Sequence, residues 1–135
     1  MRQVLRAGRG KLLCITARDI FQLLLDAYAA AYRSGDADHC AACFTDDAQM
    51  LSPYAPPAWG RTAIAALHAD WVMDGHGKAL TLTDGGHDGD LGWGLAEFSE
   101  GAATGTGTTL CVFRRQPDGG WLIHMCSLTA ETSEG

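Results

Sequence analysis

The feature that most constrains this chain is a change of hydrophobic period near residue 75. Up to Met73 the apolar residues recur at helical spacing, and from Lys78 onward they alternate with a period of two. Helices first and strands afterwards is an α+β order, in which the helices gather on one face of an antiparallel sheet. With 135 residues there is enough chain for one domain with a real core. No repeat, linker or low-complexity segment divides it. The expected organisation is a basic tail over residues 1–15 and a single domain over residues 16–135.

The first helix is expected from Thr16 to Ser34. Thr16 can cap it, and Asp19 sits in the first turn, where the helix dipole favours negative charge. Ile20, Leu23, Leu24, Ala27 and Ala31 share one face, and Phe21, Leu25, Tyr28 and Tyr32 form an adjoining stripe. Apolar cover over so wide an arc implies a helix clasped by a concave surface. Gly35 fits the left-handed position after a helix end, and Asp36 can cap a short second helix over residues 37–44. Asp46-Asp47 reads as a turn, and residues 48–52 as a short strand. Pro53, Pro56 and Pro57 imply an extended loop. A third helix is expected over residues 62–73, with Ile64, Leu67, His68 and Trp71 on one face.

Four strands follow, over residues 78–83, 91–99, 104–116 and 121–129, joined by hairpin turns. Gly92, Gly94, Gly105 and Gly107 lie inside these strands, which points to bulges and strong bending.

Charge and cysteine content exclude several classes. The net charge is −6, and Arg2, Arg6, Arg9 and Lys11 put +4 of basic charge at the start, so the remainder carries −10. Nucleic acid rewards basic surface, so it is not an expected partner. No stretch approaches the ~20 apolar residues of a membrane span. Residues 12–15 are too short an apolar run for a secretory signal, and the basic start reads as a frayed tail. Five cysteines, an odd number, without a signal segment imply free thiols and a cytoplasmic location.

Four motifs now stand in a fixed order: Tyr32-Arg33-Ser34-Gly35-Asp36, Phe44-Thr45-Asp46-Asp47-Ala48, Gly60-Arg61-Thr62-Ala63-Ile64, and Val112-Phe113-Arg114-Arg115 through Asp118-Gly119-Gly120-Trp121. In that order and spacing the chain resembles the nuclear transport factor 2-like superfamily, closest to its SnoaL-like and ketosteroid-isomerase-like branch. The resemblance covers residues 17–129. It implies a cone: a curved antiparallel or mixed sheet wrapped around a long N-terminal helix, with two further helices and an apolar hollow inside. It also implies a homodimer through the outer sheet face. Members include isomerases, polyketide cyclases, dehydratases and epoxide hydrolases, so the fold does not fix the activity.

The isomerase branch uses a tyrosine on the first helix, an aspartate base before a proline, and a protonated aspartic acid in a later strand. By resemblance the tyrosine falls on Tyr28, the base position on Ser52 and the acid position on Cys111. An unassisted serine is no base at neutral pH, and a thiol is a weak donor. Losing both groups costs several orders of magnitude in rate, so ketosteroid isomerisation is not expected. His68 is the remaining candidate base, sharing a helix face with Ile64 and Trp71. The plainer alternative is a histidine that hydrogen-bonds Tyr28 and fills space.

Strand alternation supplies the other pocket candidates: Met50 and Ser52, then Cys111 with Thr109 and Phe113, then Met125 and Ser127 on the face of Trp121 and Ile123. Phe98 or Trp93 faces in, but not both in a regular strand; Phe98 is carried forward, together with Trp71. His124 and Cys126 are expected to point away from the hollow. Cys40-x-x-Cys43 lies within a short helix and lacks a second ligand pair, so no metal is expected. No cofactor motif is present. The expected occupant is a small apolar ligand or substrate. If the chain is catalytic, it would be a cofactor-free isomerase, cyclase or dehydratase with Tyr28 as donor and His68 as base. The alternatives are a non-catalytic ligand-binding protein and a dimeric interaction module.

Overall fold

A computed structural model of the chain describes residues 2–7, 11–74, 77–100 and 106–130. In order, its elements are β1 (Arg2–Ala7), β2 (Lys11–Thr16), α1 (Ala17–Arg33), α2 (Ala37–Ala42), β3 (Phe44–Ser52), β4 (Ala55–Trp59), α3 (Arg61–Trp71) with a 3₁₀ turn (Val72–Asp74), β5 (Lys78–Asp88), β6 (Leu91–Glu100), β7 (Thr106–Arg115) and β8 (Trp121–Ala130). Six strands form one sheet in the order β4-β3-β8-β7-β6-β5. All its neighbours are antiparallel except β3 and β8, which run parallel. This is the α+β cone, with α1 lying along the concave face.

The first helix begins and ends where its sequence requires. Thr16 accepts from the Asp19 amide while the Asp19 carboxylate accepts from the Thr16 amide, a reciprocal capping box. Gly35 follows the helix end with φ of 77°, a conformation that costs glycine little. Asp36 then caps α2 through the His39 amide. The buried stripe of α1 is Ala17, Phe21, Leu25, Tyr28, Ala29 and Tyr32. The neighbouring face is not clasped: Leu23 and Ala27 are exposed, and Ile20, Leu24 and Ala31 are half-buried.

Strand glycines set how deeply α1 sits. Phe21 stacks on Phe113 with ring centroids 4.1 Å apart and meets Trp121 edge-on at 5.1 Å. A Cβ on Gly92 would overlap the Phe21 ring, lying 2.9 Å from Cε2 and closer still to Cζ. A Cβ on Gly94 would lie 2.7 Å from Leu82 and 2.9 Å from Phe113. One on Gly107 would lie 2.7 Å from Phe98. These glycines therefore mark close approach rather than the expected bulges. The ladder irregularities fall elsewhere, between Leu82 and Asp84 in β5 and between Val112 and Phe113 at the β7–β8 pairing. Gly105 lies outside the described residues.

Several sequence expectations need correction. The basic start is not a frayed tail: β1 and β2 pair antiparallel, Arg2 opposite Thr16 through Ala7 opposite Lys11. The second helix stops at Ala42, and Phe44 already belongs to β3. Asp46 and Asp47 lie within β3, at the point where its pairing with β8 is interrupted between Phe44 and Gln49. Aspartates are poor strand residues, and this gap in the ladder is where they fit. The proline loop is β4, an edge strand bonded on one side only to β3. An edge tolerates prolines because no ladder bond is asked of their missing N–H. Asp84 to Asp88 continue β5 rather than turning, and the turn is confined to Gly89-Asp90.

Because Phe21 is fully buried, its ring has nowhere to go. Gly92→Ala is expected to lower the unfolding free energy by about 1–3 kcal/mol through overpacking, read as a fall in the urea midpoint at unchanged slope.

Candidate functional site

The interior of the cone is built around α1 and α3. Phe21, Leu25, Tyr28 and Tyr32 follow one another at spacings of three and four along α1, which stacks them on one face. His68 projects from α3 into the same space and is completely buried. Its Nδ1 lies 2.8 Å from the Ile64 carbonyl, one helical turn back. A carbonyl only accepts, so Nδ1 carries the proton and Nε2 is bare. Nε2 therefore accepts from the Tyr28 hydroxyl, 2.7 Å away. Four aromatic rings enclose the imidazole, those of Tyr28, Tyr32, Phe44 and Trp71, at centroid distances of 5.2–6.0 Å.

Burial governs the acidity of both partners. It pushes His68 down to about 4, partly offset by the bond to Ile64 and reinforced by the positive charge of Lys78. It pushes Tyr28 well above the ordinary phenol range, and neighbouring Cys126 and Cys40 add to the shift. Both groups are neutral at physiological pH. The proton of Tyr28 and the lone pair of His68 satisfy each other.

The hollow beside this pair is lined by Tyr28, Met50, Lys78, Leu80, Phe98, Thr109, Cys126 and Leu128. Its volume is about 10 Å³, at the lower limit for a single water molecule. The phenol of Tyr28 does point into the cone, as expected, but neighbouring side chains nearly fill the space. Among the described residues, the space beside Tyr28 is smaller than the open hollow expected from the sequence.

The predicted residues divide into four groups. Tyr28, Met50 and Phe98 line the hollow, His68 stands behind the Tyr28 hydroxyl, and Phe98 rather than Trp93 faces inward, Trp93 being exposed. Cys111 and Phe113 face the same interior, with Cys111 Sγ 4.0 Å from Cys126 Sγ and Phe113 deeper, under Phe21. Trp71 is half-buried and packs on His68 from α3. Ser52, Met125 and Ser127 are elsewhere. Ser52 Oγ accepts from the Tyr54 amide at 3.2 Å and belongs to the β3–β4 turn.

Met125 and Ser127 are displaced by an irregularity in β8. Opposite Val112 and Phe113 the register skips His124, so Trp121 and Ile123 face inward but Cys126 follows them, three residues on instead of two. One extra residue reverses the alternation beyond it. Cys126 and Leu128 thus line the hollow, and Met125 and Ser127 turn to the other face. Cys126 Sγ lies 3.0 Å from Thr109 Oγ1. His124 does point outward, as expected, held by Thr45 Oγ1 at 2.9 Å and Arg114 at 2.9 Å.

Lys78, Leu80 and Leu128 were missed by sequence reasoning. The signal for the first two was present: Lys78 and Leu80 alternate with Ala79 and so share a face. The remaining polar candidates are structural. Cys40 and Cys43 are held protonated by burial, pushed up to about 12 and about 11. Asp46 pairs with Arg61 at 2.5 Å, and Arg61 also donates to the Phe44 carbonyl. The Arg114-Arg115 pair is only half exposed, Arg115 lying 5.1 Å over Trp121. Among the described residues no three His, Cys, Asp or Glu side chains are grouped to hold a metal. No helix among them is long and apolar enough to cross a membrane.

The SnoaL-like domain family matches residues 22–128. The chain belongs to this family. The fold also matches solved structures at low identity. A ketosteroid isomerase-like protein from Erwinia carotovora atroseptica is 17% identical with a TM-score of 0.72, over 84% of this chain and 95% of that one. A nuclear transport factor 2-like protein with a cystatin-like fold from Novosphingobium aromaticivorans is 23% identical with a TM-score of 0.68, over 87% and 84%. A putative calcium/calmodulin-dependent protein kinase type II association domain from Thiobacillus denitrificans is 20% identical with a TM-score of 0.68, over 87% and 96%. None of the curated proteins compared with the sequence matches it.

The depressed histidine makes a stability prediction. Between the two pKa values the unfolded chain binds more protons than the folded one, so stability rises with pH. The contribution is complete above pH 6.5 and is lost as pH falls toward 4. The gap amounts to about 3 kcal/mol. Urea titrations of the wild type from pH 7 to 4 should show this loss, and the slope should flatten in His68→Gln.

Proposed function

We propose that this SnoaL-like chain is a non-catalytic binding protein for a small, mostly apolar molecule, which enters the cone beside Tyr28, and that it works as a homodimer. The observation that carries the reading is the closed Tyr28–His68 hydrogen bond. A general base needs an available lone pair and a pKa near working pH. His68 has neither, because Tyr28 occupies Nε2 and burial holds the imidazole near 4. A proton donor to a developing oxyanion needs a spare proton, and the Tyr28 proton is already committed to His68. With Ser52 in a turn and Cys111 facing Cys126, neither position that the resemblance gives to the isomerase pair holds a carboxylate.

Binding draws support from what the interior contains. A cone meant only to be filled needs no phenol, imidazole, hydroxyl and thiols, each of which costs free energy to bury. Polar points in an otherwise apolar lining are the make-up of a small-molecule site. Because the space is nearly full, a ligand must displace side chains, and Met50, Leu80 and Leu128 are the flexible ones at the hollow. Thermal melts with 1-naphthol, menthone and decanoate test this. A ligand at a hundredfold excess over its Kd adds about 2.7 kcal/mol, so the melting temperature should rise by several degrees. No rise with any of them would sink the binding reading.

That failure would leave the second reading, a dimeric interaction module with a filled cone, which the 10 Å³ hollow favours. Both readings share the dimer. On the outer face of the sheet Leu91, Trp93, Leu95 and Leu110 are 52%, 44%, 38% and 51% exposed. Leu95 stands opposite Leu110, and Trp93 opposite Val112, so they form one contiguous patch. Contiguous apolar surface of this kind marks an interaction site. Wild type is expected to sediment as a dimer and Leu95→Lys as a monomer with unchanged circular dichroism; a monomeric wild type would refute the dimer.

A further inference from the structure

Two of the cone's thiols face each other across neighbouring strands. Cys111 of β7 and Cys126 of β8 are direct partners, in a stretch where the ladder is regular from Gly107 to Val112. The skipped residue at His124 is what turns Cys126 to the inner face, where it meets Cys111. Both are buried, and Cys126 borders the hollow. The two Sγ atoms lie 4.0 Å apart. Thr109 Oγ1 lies 3.0 Å from Cys126 Sγ and 3.9 Å from Cys111 Sγ.

From this juxtaposition we infer that Cys111 and Cys126 form an oxidation site, at which hydrogen peroxide converts the two thiols to a disulfide joining β7 to β8. The inference stands apart from the binding reading.

The backbone already has the required span. Directly opposed residues of an antiparallel pair have Cα atoms about 4.5–5.5 Å apart, within the range of about 4.4–6.8 Å that a disulfide bridges. Side-chain rotation brings the sulfurs together, and neither strand has to move. The two thiols are also unequal. Cys111 donates to Cys126. That bond holds the Cys126 thiol below the ordinary thiol range against the opposing effect of burial, and the Thr109 hydroxyl adds to it. The same bond, with burial, pushes Cys111 well above that range. The thiolate is the nucleophile, so Cys126 reacts first and Cys111 second. The hollow beside Cys126 is about 10 Å³, so the oxidant must be small, and hydrogen peroxide is the smallest hydroperoxide. Cys40 and Cys43 are built differently. Each donates to a backbone carbonyl, of Tyr28 and of His39 respectively, and both stay protonated.

The chemistry balances in two steps. The Cys126 thiolate attacks one peroxide oxygen; the S–O bond forms, the O–O bond breaks, and the departing hydroxide takes up the proton that Cys126 released. Cys126 is then a sulfenic acid. The Cys111 sulfur attacks the Cys126 sulfur; the S–S bond forms, the S–O bond breaks, and hydroxide leaves with the Cys111 proton as a second water. The thiol pair gives up two electrons and the peroxide accepts them.

Peptide mapping tests this. The reduced chain is treated with a small excess of hydrogen peroxide near neutral pH, unfolded in an alkylating reagent and digested with trypsin. Cleavage after Lys78, Arg114 and Arg115 leaves Cys111 and Cys126 on separate peptides, residues 79–114 and 116–135. The expected product is these two peptides joined by a disulfide, with Cys40 and Cys43 alkylated as in untreated protein, and dithiothreitol should restore both thiols. Cys111→Ser should accumulate a sulfenic acid on Cys126, captured by dimedone, whereas Cys126→Ser should leave Cys111 unmodified. Thr109→Val should slow the linkage by about tenfold, the worth of one hydrogen bond to a charged acceptor. Absence of the joined peptides, or oxidation of Cys40 and Cys43 as fast as the pair, overturns the proposal. Dimedone on Cys111 in Cys126→Ser, as readily as on Cys126 in Cys111→Ser, overturns the order of attack. An unchanged rate in Thr109→Val overturns the part given to Thr109. The wild-type map decides the central point whether or not the variants fold.

Discussion

The packing of α1 against bare backbone in the sheet is the constraint on which the rest of this structure depends. Phe21 lies on Phe113 because Gly92 leaves no Cβ in the way of Phe21 and Gly94 none in the way of Phe113. That depth brings Tyr28 and Tyr32, about two and three turns further along the helix, level with α3. Only then does the Tyr28 hydroxyl reach the imidazole of His68. The same depth accounts for the small space left among the described residues beside Tyr28, because a helix seated this close fills what a shallower one would leave open.

The interior is a study in how burial sets chemical character. In water, a phenol and an imidazole are separated by few enough pKa units to exchange protons usefully. Inside the cone both are driven toward neutrality, in opposite directions, by the same loss of hydration. The single hydrogen bond to Ile64 then decides the tautomer, and the tautomer decides which way the Tyr28 bond points. A reactive-looking pair becomes a satisfied one. In the proposed binding reading, Ser52 and Cys111 stand where the resemblance implies the isomerase carboxylates.

Much of the architecture was legible from local chemistry. Thr16, Gly35 and Asp36 announce helix boundaries through capping and left-handed geometry, and those boundaries stand within a residue or two. The alternation from Lys78 onward announces the meander. Where the reading failed, long-range pairing overrode the local signal. Pro56 and Pro57 argue against a strand, yet an edge position asks little of their nitrogens. Asp46 and Asp47 argue for a turn, yet the neighbouring strand simply leaves a gap for them. The skipped residue at His124 carries no mark in the sequence, and it reassigned Met125, Ser127 and Cys126 together. Helix periodicity and the resemblance turned Tyr28 and His68 inward, and strand alternation did the same for Met50 but left Phe98 and Trp93 undecided. Lys78 was passed over because a lysine at a strand start is ordinarily solvated.

The parallel pairing of β3 with β8 has a consequence for how the chain acquires its shape. Phe44 sits beside Ile123, and Gln49 beside Met125, across more than half the length of the protein. The hairpins of β5 to β8 close over short loops, whereas this seam closes only after the whole intervening chain has been gathered in, at an entropic cost paid late. During synthesis β3 leaves the ribosome long before its mate exists. The seam between β3 and β8 must therefore wait until Trp121 to Ala130 arrive to complete the wall.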